Sequence, residues 1–199
     1  MITKRISLIA LVSLAPLMTT SIHTYDVLVE GKAAYFLSTN CLFKDIYNRG
    51  SGIYGFEVTA GEYKNIYGFL SVDAFHKKGH SIGFCNETKV TFVELGLGLK
   101  YFIPFRFGDV YVGLGALPTY LRTKDCSPYV IPEQSKWGCG GIVKGGVYFD
   151  LPKSFIIDLF IDYAFVKISP ECCPGSGTIP HAARLNGCIF GGGLGYRFN

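Results

Sequence analysis

Leu185-Asn186-Gly187-Cys188-Ile189-Phe190-Gly191-Gly192-Gly193-Leu194-Gly195-Tyr196-Arg197-Phe198 runs to within one residue of the C-terminus. Taken in steps of two, it separates into two faces. One carries Phe190, Leu194, Tyr196 and Phe198, with Gly192 between them; the other carries Gly187, Gly191, Gly193, Gly195 and Arg197. A period of two is the signature of a strand. The large apolar residues share one face and the opposite face is mostly glycine. That distribution suits a narrow barrel wall with little room inside and hydrocarbon outside.

The composition agrees. Of 199 residues, 49% are hydrophobic, 15% aromatic and only 17% charged, with 25 glycines. Such a chain is too apolar and too aromatic to stay disordered. No interior segment supplies the ~18 uninterrupted apolar residues of a membrane helix. High hydropathy without a hydrophobic run is what alternating lipid-facing strands produce. A soluble all-β domain with a large core, such as a lipocalin-like barrel, is the rival on composition alone.

Residues 1–24 have a different character. Lys4 and Arg5 precede an apolar run from Ile6 to Met18, followed by Thr19, Thr20 and Ser21. This is the layout of an export signal peptide, which leaves 25–199 as the mature domain. Removing it leaves 17 basic against 15 acidic residues, a net charge of +2. That is too small to argue for a nucleic-acid partner.

Alternation predicts eight strands, beginning with 29–37, 53–61 and 66–75. The clearest sets Thr91, Val93, Leu95, Leu97, Leu99 and Tyr101 against Phe92, Glu94, Gly96, Gly98 and Lys100. Strands at 109–121 and 137–149 follow. The seventh points Phe155, Ile157, Leu159, Ile161, Tyr163 and Phe165 outward, and the last is the C-terminal stretch. Connections at 38–51, 76–89, 122–136 and 167–183 are long and polar; those at 62–65, 104–108 and 150–154 are short. Long and short alternate, so all long connections fall at one end. A β-sandwich has no reason to sort its loops in this way. The fold class expected is all-β, an eight-stranded antiparallel up-and-down transmembrane β-barrel.

Charged strand residues must then face inward, because a basic side chain on the lipid face costs about 2–4 kcal/mol at the midplane. The expected interior network comprises Glu57, Asp73, Glu94, Lys100, Lys144, Asp158, Asp162 and Arg197, with Glu30, Lys32 and Asp109 on the same side. A satisfied polar plug is one reading and an ion path the other. Eight strands leave an interior that side chains just fill, which favours the plug.

In layout the chain resembles the eight-stranded bacterial outer-membrane barrels of the OmpA, OmpX and OmpW type, across roughly residues 29–198. The closest correspondence is Gly193-Leu194-Gly195-Tyr196-Arg197-Phe198, similar to that family's C-terminal insertion signal, although Asn199 follows where the family ends on the aromatic. The resemblance implies an outer-membrane location in a bacterium. It also implies recognition of Leu194, Tyr196 and Phe198 by the barrel-assembly machinery, and contact with outer-membrane lipid. Simple lipid-facing positions would also account for these three residues.

Seven cysteines in an exported chain point to an oxidising compartment. Cys41, Cys85, Cys126, Cys172 and Cys173 fall in long connections; Cys139 and Cys188 fall near strand ends on the same side. All seven are disulfide candidates, either as loop staples or, given the odd count, with one bond to another molecule. No Cys-x-x-Cys occurs, which speaks against a metal site. The sequence suggests no cofactor. His76, Ser81 and Glu87 supply hydrolase residue types in one connection, but no spacing makes them a triad.

The expected function is therefore structural or interactive and not enzymatic: envelope integrity, adhesion, or host contact through disulfide-stapled outer loops. One alternative is binding or transport of a small apolar molecule through a narrow OmpW-like barrel, with Phe92, Tyr111, Tyr148 and Phe160 lining a pocket. A second is an outer-membrane lipid-modifying enzyme.

Overall fold

Leu159 and Ile161 are 55% and 63% exposed, whereas Asp158 and Asp162 on either side of them are 0% and 3% exposed. The greasy residues point away from the molecule and the acids point into it. A soluble lipocalin-like barrel would show the reverse. The computed structural model describes residues 26–47, 50–80, 87–125, 133–168 and 183–198. They form β1 (Asp26–Ser38), α1 (Cys41–Tyr47), β2 (Gly50–Tyr63), β3 (Ile66–His80), β4 (Glu87–Phe105), β5 (Gly108–Ala116), β6 (Thr119–Asp125), β7 (Glu133–Asp150), a short 3-10 turn (Pro152–Ser154), β8 (Phe155–Ile168) and β9 (Ala183–Phe198).

Apart from β5 and β6, each strand pairs antiparallel with its sequence neighbours. The last strand closes the ring on the first, with Val29 opposite Tyr196 and Gly31 opposite Leu194. β5 and β6 both lie between β4 and β7, so nine strands fill eight positions. The expected unbroken strand at 109–121 is interrupted at Leu117-Pro118 because proline has no N–H for the ladder. The gap is bridged on both sides, by Leu95 N–H donating to the Pro118 carbonyl and Leu117 N–H donating to that of Gly140.

The outer wall is a continuous apolar band that includes Phe56, Leu70, Leu97, Leu99, Val112, Leu114, Ile161 and Leu194. Exposed apolar surface of this extent is stable only against a nonpolar solvent. No helix among the described residues is long and apolar enough to cross a membrane. At the end of the barrel nearer the termini the hairpins are tight. Lys64 and Asn65 both take positive φ, as a two-residue turn requires. Gly191 faces inward where a Cβ would fall against the backbone of Ala33 and Ala34. This explains why the inward face of β9 is built from glycine.

Two expectations are corrected at the other end. The connection at 38–51 is not simply polar, because it contains α1, whose Phe43 and Tyr47 are buried in the mouth of the barrel. His76 and His80 belong to β3 and not to a loop, since β3 and β4 continue their ladder as far as His80 opposite Glu87.

The barrel interior as candidate functional site

Three lysines from three separate strands, Lys32 on β1, Lys100 on β4 and Lys144 on β7, converge on one carboxylate, Glu57 of β2. Lys32 Nζ is 2.8 Å from Glu57 Oε2 and Lys144 Nζ 3.2 Å from the same oxygen, while Lys100 pairs with Oε1. The other acids complete the layer. Lys32 lies 3.3 Å from Glu30 and 3.8 Å from Asp158, and Lys144 lies 2.7 Å from Asp162. Two phenols knit the network together. Tyr148 donates to Glu30 (2.9 Å) while accepting from Lys100 (2.7 Å), and Tyr111 donates to Asp158 (3.1 Å). Lys100 also sits over the Tyr111 ring, 4.2 Å from its centroid. These groups are buried, so desolvation is offset only through multiple charge-assisted contacts.

Aromatic layers lie on either side. Towards α1, Phe75 stacks on Phe92 at 4.4 Å, and Phe36 meets both rings edge-on as well as Phe43. On the other side, Phe102 packs on Tyr67, Tyr111 and Tyr148. The floor is a clamp in which Arg197 reaches Asp109 (2.7 Å), Asp150 (3.3 Å) and Asp26 (3.8 Å). Above this floor is a small polar cavity of about 200 Å³, lined by Asp26, Thr59, Asn65, Tyr67, Asp109 and Arg197. In the charged layer, beside Lys32, Asp73, Lys144 and Asp162, the void is only about 10 Å³.

The ring thus brings Glu57, Lys100, Lys144, Asp158 and Asp162 into one network. Glu94 faces inward opposite Asp73 on the neighbouring strand, a pair of carboxylates side by side. Arg197 stands apart at the floor. Sequence reasoning missed Tyr111 and Tyr148 as hydrogen-bonding members, having treated them only as aromatic lining or filling. Phe92, Tyr111, Tyr148 and Phe160 occur as packed interior side chains. His76 Nδ1 lies 2.8 Å from Thr91 Oγ1, while Ser81 is outside the described residues. Cys139 and Cys188 are free thiols. The side chain of Cys41 and the whole of Cys85, Cys126, Cys172 and Cys173 lie outside what is described. Among the described residues no cluster of His, Cys, Asp and Glu could hold a metal ion.

The outer wall carries one shallow depression, of about 700 Å³, along the closing seam; Gly31, Ala33 and Gly192 form its floor and Tyr54, Phe56 and Leu159 its sides. Leu194, Tyr196 and Phe198 point outward in a row, Tyr196 packing against Phe155 and Phe198.

No family model matches the chain, and no curated protein matches it in sequence. Solved structures do match in shape. OprG of Pseudomonas aeruginosa superposes with a TM-score of 0.62 at 14% identity, covering 87% of this chain and 96% of that one. Escherichia coli OmpW gives 0.56 at 16% identity, covering 87% and 97%. Ail of Yersinia pestis, an attachment invasion locus protein solved with the heparin analogue sucrose octasulfate, gives 0.54 at 14%, covering 87% and 98%. The chain has the fold of the small bacterial outer-membrane β-barrels.

Proposed function

We propose that this chain is exported by residues 1–24 into a bacterial outer membrane, where its barrel is a plugged anchor and its long-loop end carries the function. That function is envelope integrity, or contact with host and neighbouring molecules. The filled interior supports this reading: a charge layer with a void of about 10 Å³ sits between two aromatic layers. A path for ions would need water where Lys100, Glu57 and Tyr148 now occupy the space. Ail, with its bound heparin analogue, is a structural parallel for a surface-contact role. The assembly machinery is the partner proposed for Leu194, Tyr196 and Phe198, and cysteine cross-links among the outer loops are proposed to stiffen them. Reconstituted into planar bilayers, the protein is expected to be silent; discrete conductance steps would overturn the plug.

A second reading draws on the depression along the β1–β9 seam, which suits a small apolar molecule moving along the wall. It predicts faster uptake of a fluorescent alkane analogue into proteoliposomes, abolished by Gly192→Leu.

A further inference from the structure

Six carboxyls face the charge layer, Glu30, Glu57, Asp73, Glu94, Asp158 and Asp162, against three ammonium groups, Lys32, Lys100 and Lys144. Four of the six are compensated. Glu57 meets all three lysines, and Lys144 also pairs with Asp162. Glu30 and Asp158 each accept from a tyrosine and lie near Lys32. Asp73 and Glu94 are the remainder. They stand directly opposite each other on β3 and β4, and among the described residues neither carboxyl is in an ion pair or a hydrogen bond.

The surroundings leave the pair uncompensated. Lys32 of β1 and Lys144 of β7 face it but are engaged by Glu57 and its neighbours, while Glu57 of β2 and Asp162 of β8 add negative charge. Lys100, further down β4, is held by Glu57 and Tyr148. Opposite Glu94 on β6 is Thr119, whose hydroxyl donates to the Leu117 carbonyl, and β9 contributes Ile189. Above the pair the stacked rings of Phe75 and Phe92 form an uncharged roof, and Lys77 beyond them donates to the Gly50 carbonyl. Asp73 lies over Gly55, where a Cβ would collide with its Oδ1. The void beside Asp73 is about 10 Å³, room for one water at most and none for a hydrated counterion.

We propose that Asp73 and Glu94 share one proton at neutral pH, which makes the β3–β4 wall of the charge layer a pH-sensitive latch. Like charges directly opposite one another across a sheet repel. One proton held between the two carboxyls replaces that repulsion with a charge-assisted O–H···O hydrogen bond. In the unfolded chain both groups are ordinary carboxylates and carry no proton at neutral pH. The folded state therefore binds a proton that the unfolded state releases. Stability from the latch is full while the pair is protonated and is lost as rising pH strips the proton to bulk water. Glu57 is the opposite case, an anion matched by cations. The latch belongs to the barrel itself and is independent of what the long-loop end contacts.

For the test, the full chain is folded into phospholipid vesicles and unfolded with urea at a series of pH values from neutral to alkaline. The emission of Trp137, the sole tryptophan, reports the transition. Glu94→Gln keeps the shape, carries no charge and can donate its amide to Asp73. It is expected to match the wild type at neutral pH and to escape the wild type's alkaline decline. Where the pair releases its proton, the wild-type unfolding constant should climb by up to about tenfold more per pH unit than the variant's. A variant weakened at neutral pH as Glu57→Gln is, or pH profiles that run parallel, would overturn the proposal. A second measurement needs no variant. The infrared carbonyl stretch of an un-ionised carboxylic acid is expected in the folded wild type at neutral pH and should fade as the pH rises; its absence at neutral pH would overturn the shared proton. So would stabilisation by sodium or potassium at constant ionic strength in place of the pH dependence, which would assign the balancing charge to a metal cation.

Discussion

Glu57 is the one carboxylate against which three ammonium groups are balanced, so its removal exposes their mutual repulsion. Glu57→Gln keeps the volume and removes the charge. It is expected to destabilise the barrel by about 3–5 kcal/mol, as when one partner of a buried ion pair is deleted. Urea unfolding in phospholipid vesicles would show it, and an unchanged midpoint would mean the layer is not the structural core of the plug. Side-chain direction can be tested one residue from Asp158. Leu159→Lys places a charge on the band and should cost about 2–4 kcal/mol, whereas Leu159→Phe should be close to neutral. Inward and outward assignments of this kind were readable from period two, because the strand charges and most glycines of β4 and β9 share one parity and residues such as Leu95, Leu97, Leu99 and Leu194 the other. The convergence on Glu57 was not readable. Lys32, Lys100 and Lys144 are far apart in sequence and meet only because the ring sets β1, β2, β4 and β7 around a shared interior.

Among the elements, α1 escaped the sequence reading for a physical reason. Cys41–Tyr47 is a two-turn helix in a polar, glycine-containing connection, too short to show a helical period. It exists because Phe43 and Tyr47 find a ready aromatic surface in Phe36 and Phe75, and because Tyr47 Oη lies 3.2 Å from Thr88 Oγ1. Its attachment is therefore tertiary. Phe43→Ala should accelerate amide exchange throughout α1 while leaving exchange in β3 unchanged. The Phe43→Ala, Tyr47→Ala double variant should still be silent in bilayers, since the charged layer lies beneath. Conductance in that variant would make the helix the plug. The upper reaches of β3 and β4 were also missed, because Lys77, Lys78 and Lys89 alternate with small and polar residues and give no hydrophobic signal.

At the scale of the whole molecule, eight ring positions, seam and apolar wall follow from alternation and loop sorting, which report the same solvent boundary from two directions. The break at Leu117-Pro118 did not alter the count because hydrogen bonds bridge it from both sides. Arg197 adds something that neither pattern contains. Its guanidinium is the cation on which three aspartates converge, Asp26 of β1, Asp109 of β5 and Asp150 of β7, and it belongs to the penultimate described residue. Until that residue arrives, the floor is a circle of anions that push one another apart. One cation thus latches the base of the barrel, and a chain in which Arg197 is replaced by a neutral residue would keep three carboxylates facing one another with nothing to hold them together.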